Sequence, residues 1–221
     1  MALTPKTADA PIFTQQDFHV FQIPGLEARM EALIARVRPK LERLGNLIAP
    51  ELSAMTGDEM FAHVAKHARR TVHPPDDTWV AWAANKRGYK MLPHFQVGLF
   101  GTEWFAQFAI IYESQNKKIF AASMMDELKR IGRMVPPHFR WSMDHTKPAS
   151  IPHAEMTTDA FREMAAKLST TKQSEVMVGI RLKPDDPLLA DGNALLETIL
   201  STFRTLLPLY RMSFEAKRDR I

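Results

Sequence analysis

Apolar residues in the first quarter of the chain recur at steps of three and four, which is the spacing of one face of an α-helix. The pattern begins after Gly25 and consists of Leu26, Met30, Leu33, Val37, Leu41, Leu44 and Ile48. Pro39 lies inside it, and the missing N–H and bulky ring of proline predict a bend or a break in the helix. A shorter helix is predicted to begin at Thr14, whose hydroxyl can cap free backbone amides.

Further along the chain the apolar period changes from helical to alternating. Residues 61–68 still have helical spacing, so a short helix is predicted there, but from Thr78 the alternation is that of β-strands. The predicted strands are 79–84, 94–100, 104–112, 139–143, 151–155 and 175–183. The predicted later helices are 119–134, 158–168 and 193–203. Helices at both ends of the chain, with antiparallel strands between them, predict an α+β fold.

The strand alternation also predicts two different faces of the sheet. In the last strand the apolar side chains point one way, and these are Val176, Val178, Ile180 and Leu182. Glu175, Arg181 and Lys183 point the other way. We therefore expect a single two-layer domain over residues 13–221, preceded by a flexible N-terminal arm at residues 1–12. Its central antiparallel sheet would have helices packed on one face, and the other face would be either an ordinary solvated surface or a binding surface.

Positive charge is concentrated in the segment 61–100. The whole chain has 29 basic and 25 acidic side chains, a formal net charge of +4. The segment alone has six basic and two acidic side chains, so it accounts for the whole excess. It also contains four of the eight histidines and two of the four tryptophans. Basic and aromatic side chains beside an antiparallel sheet are typical of single-strand binders.

The segment therefore predicts an anion-binding site. The candidate residues are Lys66, Arg69, Arg70, Lys86, Arg87, Lys90, His94 and Arg140. We predict that these side chains converge in space, because the turn at Pro74 and Pro75 must return the chain towards the sheet. Internal acids that pair with the cations would weaken this hypothesis, whereas unpaired cations would favour anion binding.

Several kinds of chemistry are excluded or made improbable by the residues present. The chain has no cysteine, so disulfides, thiolate nucleophiles and Cys-ligated metals are excluded. No nucleophile elbow, phosphate-binding P-loop or dinucleotide fingerprint occurs, and no cofactor is predicted. Apolar runs are too short to span a bilayer, and the N-terminus lacks a secretory signal, so we expect a cytoplasmic protein without membrane contact.

Three residues after the N-terminal helices have a spacing that could suit a metal site. Glu59, His63 and His67 are spaced four apart and would lie on one face of a helix, where they could bind a divalent cation. No glutamate lies between the histidines to act as a base, and Lys66 and Arg70 would repel a cation. The sequence therefore predicts no metal site.

Four long runs of the chain resemble a known family. They are FQIPGLEARMEAL at 21–33, VRPKLERLG at 37–45, TGDEMFAHVAKHARRTVHPPDDTWVAW at 56–82 and NKRGYKMLPHFQVGLFG at 85–101. These runs closely resemble the YktB-like family of bacterial proteins, a domain of unknown function. The resemblance implies one two-layer α+β domain with a sheet similar to TATA-binding-protein-like sheets. It brings no accepted activity, cofactor or catalytic residue.

Three classes of function remain open on the sequence. The leading hypothesis is a binding module for an anionic ligand, either nucleic acid or a phosphorylated small molecule. The second is an enzyme whose cleft uses His63, His67, His73 or His94. The third is a structural or interaction domain whose basic segment is solvated, and the oligomeric state is not predicted.

Overall fold

The N-terminal quarter is helical, as its apolar spacing predicts. In the computed structural model, which describes residues 10–214, three helices occupy this region. They are α1 (Gln15–His19), α2 (Leu26–Ala32) and α3 (Arg38–Thr56). A π-helical turn, Leu33–Val37, joins α2 to α3 without a break. Pro39 follows that turn in the first turn of α3. The predicted break does not occur, because the helical segments adjoin one another, and the predicted bend stays a prediction.

The short helix predicted at 61–68 is wrong. Phe61–Val64 form strand β1, which pairs antiparallel with the next strand from Phe61 opposite Ala83 to Val64 opposite Val80. A segment of four residues is too short for its apolar spacing to distinguish a helix from a strand. Backbone hydrogen bonding to the neighbouring strand decides the conformation here. The preceding helix ends at Gly57, whose left-handed φ of 85° suits glycine.

Seven strands form one antiparallel sheet. The other strands are β2 (Asp77–Ala83), β3 (His94–Phe100), β4 (Trp104–Ile110), β5 (Arg140–Ser142), β6 (Ile151–Pro152) and β7 (Val176–Leu182). The order across the sheet is β1-β2-β3-β4-β7-β5-β6, and all neighbours pair antiparallel. The last strand in the sequence therefore lies near the middle of the sheet. The predicted α+β architecture with a central antiparallel sheet is confirmed.

Helices cover one face of this sheet. The later helices are α4 (Lys117–Asp126), α5 (Leu128–Met134), α6 (Thr158–Thr170) and α7 (Gly192–Met212). Helix α7 contributes Phe203, whose ring centroid lies 4.8 Å from that of Phe95 in β3 and 5.9 Å from that of Trp82 in β2. These three side chains are fully buried, so each contributes roughly 1.5–3 kcal/mol by leaving water. Packing of the helices on the predicted apolar face is confirmed.

The opposite face of the sheet, called the polar face below, is not an ordinary solvated surface. Gln96 of β3 and Gln107 of β4 point to this side, yet they are only 5% and 4% exposed. Three connections contact this side of the sheet: 65–76 between β1 and β2 through His67, 84–93 between β2 and β3 through Tyr89, and 143–150 between β5 and β6 through His145. The sheet is thus buried on both sides at its centre.

Candidate functional site on the polar face

A ladder of polar side chains crosses the middle of the polar face. The Gln107 amide donates a hydrogen bond to Gln96 Oε1 at 2.8 Å, and Arg181 Nη2 donates one to Gln107 Oε1 at 2.7 Å. The Arg181 guanidinium also lies 2.9 Å from Glu103 Oε1 and packs over the Phe105 ring. Burial lowers the pKa of Arg181 to about 10, although the Glu103 charge opposes this shift. The ladder holds its buried polar groups in fixed positions.

Tyr89 forms an aromatic cover beside this ladder. Trp79 Nε1 donates a hydrogen bond to Tyr89 Oη at 3.0 Å, and the Tyr89 ring centroid lies 4.8 Å from that of His94. His67 meets the Trp79 ring edge-on at 5.5 Å. His67 also has a φ of 52°, a left-handed conformation that is uncommon for a residue with a side chain. These contacts close the connections 65–76 and 84–93 over the sheet.

His94 lies beneath this cover with one nitrogen unsatisfied. Its Nδ1 lies 2.8 Å from the Leu92 carbonyl oxygen, which can only accept, so Nδ1 carries the proton and Nε2 is an acceptor. The side chain is fully buried, and Nε2 has no hydrogen-bond partner among residues 10–214. Burial lowers the pKa of His94 to about 4. His94 is therefore a neutral acceptor inside the face and not a surface cation.

A histidine–carboxylate pair lies at another edge of the polar face. His145 Nδ1 is 2.8 Å from both carboxylate oxygens of Glu175, and the His145 backbone N–H donates to Glu175 Oε2 at 2.9 Å. The Glu175 side chain is 4% exposed and that of His145 is 28% exposed. Burial opposes a charge on His145, but the hydrogen bond to Glu175 and its charge raise the His145 pKa. The imidazole is thus held through Nδ1 and is partly exposed to solvent.

Asp77, the first residue of β2, is a second buried acid of the polar face. Burial raises the pKa of its carboxyl to about 6, while the charges of His145 and Arg70 oppose that shift. Neighbouring Asp76 instead pairs with Arg29 at 3.2 Å. Perturbed ionisable groups that act on one another within one covered face are typical of functional sites.

The predicted basic residues fall into different places around this face. Arg70 donates to the carbonyl oxygens of His73 and Pro74, both at 3.3 Å, and its charge acts on His67 and Asp77. The charge of Arg69 acts on the hydroxyls of Tyr89 and Tyr112. These two arginines therefore lie at the edge of the ionisable group.

The other predicted basic residues differ in their partners and in their exposure to solvent. Lys90 pairs with Glu113 at 3.0 Å, and Arg140 binds Ser150 through its Nε at 2.8 Å on the far strand β5. Lys66, Lys86 and Arg87 have exposed side chains on the connections. Lys90 also acts electrostatically on His145, and convergence of the eight candidate residues stays a prediction.

The alternative of a metal site at Glu59, His63 and His67 required these residues to share one face of a helix. Glu59, His63 and His67 do not stack on a helix, because His63 is in strand β1 and His67 is in the following connection. His63 Nε2 instead lies 2.8 Å from the Asn85 carbonyl oxygen. Within residues 10–214, no group of three or more His, Asp or Glu side chains could hold a metal ion.

A cavity on the helical side is a weaker candidate. It has a volume of about 630 Å³ and lies between α4, α5 and α6. Two of its arginines are paired with acids, Arg130 with Glu127 at 3.9 Å and Arg162 with Asp159 at 2.8 Å. We place the candidate site on the polar face, where the perturbed groups lie.

Sequence reasoning missed four residues of this site. Asp77, Tyr89, His145 and Glu175 are not among the candidate site residues that the sequence predicts. Strand alternation does place Glu175 on the polar side, which is the only local signal. The contact between His145 and Glu175 joins residues 30 positions apart, so no local spacing predicts it.

Comparison with known proteins identifies the family. The model of a domain of unknown function (DUF1054) matches residues 13–210. The chain belongs to this family. A UPF0637 protein of Bacillus velezensis is 48% identical over 91% of this chain and 96% of its own length. UPF0637 proteins of Bacillus licheniformis and Bacillus mycoides are 49% and 46% identical, over 91% and 90% of this chain and 95% and 96% of their own lengths.

The resemblance seen in the sequence is confirmed by these matches. Among residues 10–214, no helix is both long and apolar enough to cross a bilayer.

Proposed function

We propose that this protein is a binding module for an anionic ligand, held at the edge of the polar face beside Arg69 and Arg70. A phosphorylated small molecule fits this edge better than a nucleic acid strand. The observation that carries the proposal is the position of these two cations. They act on Asp77, Tyr89 and Tyr112, next to the buried ionisable group, and their side chains are exposed.

The charge balance at this edge supports an anion. Within the described residues, neither Arg69 nor Arg70 forms an ion pair with a carboxylate, and Asp76 is engaged by Arg29. Two adjacent cations without a carboxylate partner repel each other, and a bound anion would relieve that repulsion. The guanidinium group is also the side chain best suited to bidentate binding of phosphate.

The aromatic side chains of the polar face are not arranged as a surface on which nucleic-acid bases could stack. Single-strand binders stack bases on exposed aromatic rings. Here Trp79 is bonded to Tyr89, Tyr89 packs on His94, and every residue of β3 and β4 is buried. A compact ligand at the edge needs no such platform.

The test is anion binding by a charge-reversed variant. We expect Arg69→Glu/Arg70→Glu to weaken binding of phosphate and nucleoside monophosphates at least about tenfold. Trp79 supplies a fluorescence reporter, because Trp82, Trp104 and Trp141 are buried in the opposite core. The affinity of the parent should fall as salt rises, since counterions screen the cations.

A matched control uses cations on the helical side. Lys118→Glu/Lys129→Glu makes the same charge change at two exposed positions of α4 and α5 and should bind as the parent does. Single-stranded RNA and DNA form separate arms of the titration. Absence of binding by the parent, or equal loss in both double variants, would contradict the proposal.

A further inference from the structure

We infer that the protein forms a two-fold symmetric dimer in which strand β1 pairs antiparallel with β1 of a second copy, so that one sheet extends across both chains. The interface is the outer edge of β1, on the side of the strand away from β2, and it is separate from the anion site proposed above. Its basis is the set of backbone groups that β1 leaves unpaired and the symmetry of their arrangement.

Strand β1 lies at one end of the sheet, so alternate residues direct their backbone groups away from β2. The Ala65 N–H donates to the Trp79 carbonyl at 2.9 Å, and this bond fixes the phase of the ladder. In the observed register the odd-numbered residues therefore bond to β2, and the N–H and C=O groups of Ala62 and Val64 point outward. Within residues 10–214, these four groups have no hydrogen-bond partner. Ala62 is exposed and Val64 is half-buried.

Helix α3 engages the outward backbone groups at the two ends of this edge. The Met60 N–H donates to Ser53 Oγ at 2.9 Å, and Arg38 Nη2 donates to the Lys66 carbonyl at 3.3 Å. Between these two points β1 has no lysine, acid or proline, the residues that commonly discourage an edge strand from pairing with another strand. The centre of the edge is therefore open to a further strand, whereas its ends are occupied.

The four free groups match those of a second copy in one register. When a two-fold axis passes beside His63, Ala62 lies opposite Val64 of the second copy, and the two symmetric pairs use every free N–H and C=O group in hydrogen bonds. A slip by one step in either direction would require the Met60 N–H or the Lys66 carbonyl, which α3 already engages. The free edge is thus complementary to itself.

The side chains at this edge leave room for the pairing. His63 Nε2 lies 2.8 Å from the Asn85 carbonyl oxygen, and the His63 ring centroid lies 6.0 Å from that of Tyr89. The imidazole therefore leans over the sheet and away from the two-fold axis. On the helical face, Ala62 would meet Val64 of the second copy, and the pairing would bury both of these apolar side chains.

Helix α3 is also placed so that it does not obstruct a second copy. It lies over β1 and β2, since a Cβ added at Gly45 would be 3.1 Å from Ala62 Cβ and 3.5 Å from Val80 Cγ2. Neighbouring strands are about 4.8 Å apart, so pairing of the two β1 strands would bring the two α3 helices to about 10 Å from each other. Helices pack side by side at about 8–10 Å. The second copy would therefore meet both a strand and a helix.

Sedimentation velocity of the full chain tests the dimer. We expect the parent to show a monomer–dimer equilibrium with a dissociation constant on the order of 10 μM, because the paired edge is short. Ala62→Pro removes an outward N–H that the monomer does not use and should weaken association at least about tenfold. Ala62→Lys places a charge at the same edge, keeps the N–H, and should also weaken association.

The matched control for this charge is Ile151→Lys, since Ile151 is 48% exposed in β6 at the opposite edge of the sheet. This variant should associate as the parent does. If Ala62→Pro fails to fold, Ala62→Lys decides the question. A parent that stays monomeric up to about 200 μM, or an unchanged dissociation constant in the Ala62 variants, would overturn the inference.

A single cysteine tests the register, because the chain has no cysteine of its own. In the proposed pairing the two Cα atoms of residue 63 lie about 4.5 Å apart, a distance that a disulfide can span. His63→Cys should therefore form a disulfide-linked dimer under mild oxidation. Lys66→Cys should stay unlinked, since its two copies lie about 20 Å apart along the paired strands. Any other pattern of linkage would overturn the proposed pairing.

Discussion

At the scale of single residues, burial sets the charge of the groups on the polar face. Burial lowers the pKa of His67 and of His94 to about 4 and raises the pKa of Asp77 to about 6. In all three cases the neutral form is favoured, because water is excluded from the charged one. The connections that cover the sheet therefore decide which side chains can act as ions.

His94 gives a residue-scale prediction about acid stability. Its folded pKa of about 4 lies below the ordinary value of 6.5, so the unfolded chain takes up a proton first as pH falls. The stability that neutral His94 preserves is present above pH 6.5 and is lost as pH falls towards 4. This loss amounts to roughly 2–3 kcal/mol in the free energy of unfolding.

Urea unfolding of His94→Asn between pH 4.5 and 7.5 checks this expectation. Asparagine keeps a donor for the Leu92 carbonyl but does not titrate, so the variant should show a flatter decline than the parent. His19→Asn, at an exposed position of α1, should keep the slope of the parent. An unchanged slope in His94→Asn would contradict the assigned burial of this imidazole.

At the scale of elements, strand contacts leave no room at two glycines of the polar face. A Cβ added at Gly98 in β3 would lie 2.5 Å from the Thr78 carbonyl oxygen and 2.6 Å from Cζ of Phe105. One added at Gly179 in β7 would lie 2.0 Å from the Ala106 carbonyl oxygen. These glycines let neighbouring backbones approach closely where the face is crowded by large rings.

We expect Gly98→Ala to destabilise the protein by about 1–3 kcal/mol, because the methyl group overpacks β3 against β2 and β4. The control is Gly132→Ala in α5, where an added Cβ meets nothing within 4 Å. That change should stabilise the protein by about 0.5–1 kcal/mol, since alanine favours helices. Thermal or urea unfolding of both variants measures the difference, and equal effects would contradict the crowding.

At the scale of the whole molecule, distant parts of the chain build one sheet. Strand β7 lies between β4 and β5, and Phe13 near the N-terminus donates its backbone N–H to the Leu189 carbonyl at 2.8 Å, just before α7. The apolar core runs from Phe13 to Met212. Most of residues 1–12 lie outside the described part of the chain, so the predicted arm stays a prediction.

This continuous core predicts that folding needs no metal. We expect the thermal midpoint to stay within about 1 °C after treatment with a chelator, because hydrophobic burial supplies the stability. A chelator saturated with calcium before addition controls for direct effects on the protein. A large drop that added zinc restores would revive Glu59, His63 and His67 as ligands.

The sequence by itself determined the elements with strong periodicity. Long runs such as 26–48 and 175–183 bury a continuous apolar stripe, so their local pattern decides helix or strand. The alternation of apolar and polar residues along the strands also predicted the two faces of the sheet. It led to the hypothesis that the basic segment lies beside the polar face. Short segments were different, because the four residues of β1 have a helical spacing and become a strand only through pairing with β2.

Only the tertiary structure decided what covers the polar face and which charges meet there. His67 comes from a connection at one end of the sheet, and Tyr89 and His145 come from connections at the opposite end. Trp79 joins two of these connections, because it contacts both His67 and Tyr89. Burial then moves the pKa values of His94 and Asp77 away from the ordinary ones. No spacing along the chain encodes such an environment, since desolvation depends on every atom nearby and not on sequence neighbours.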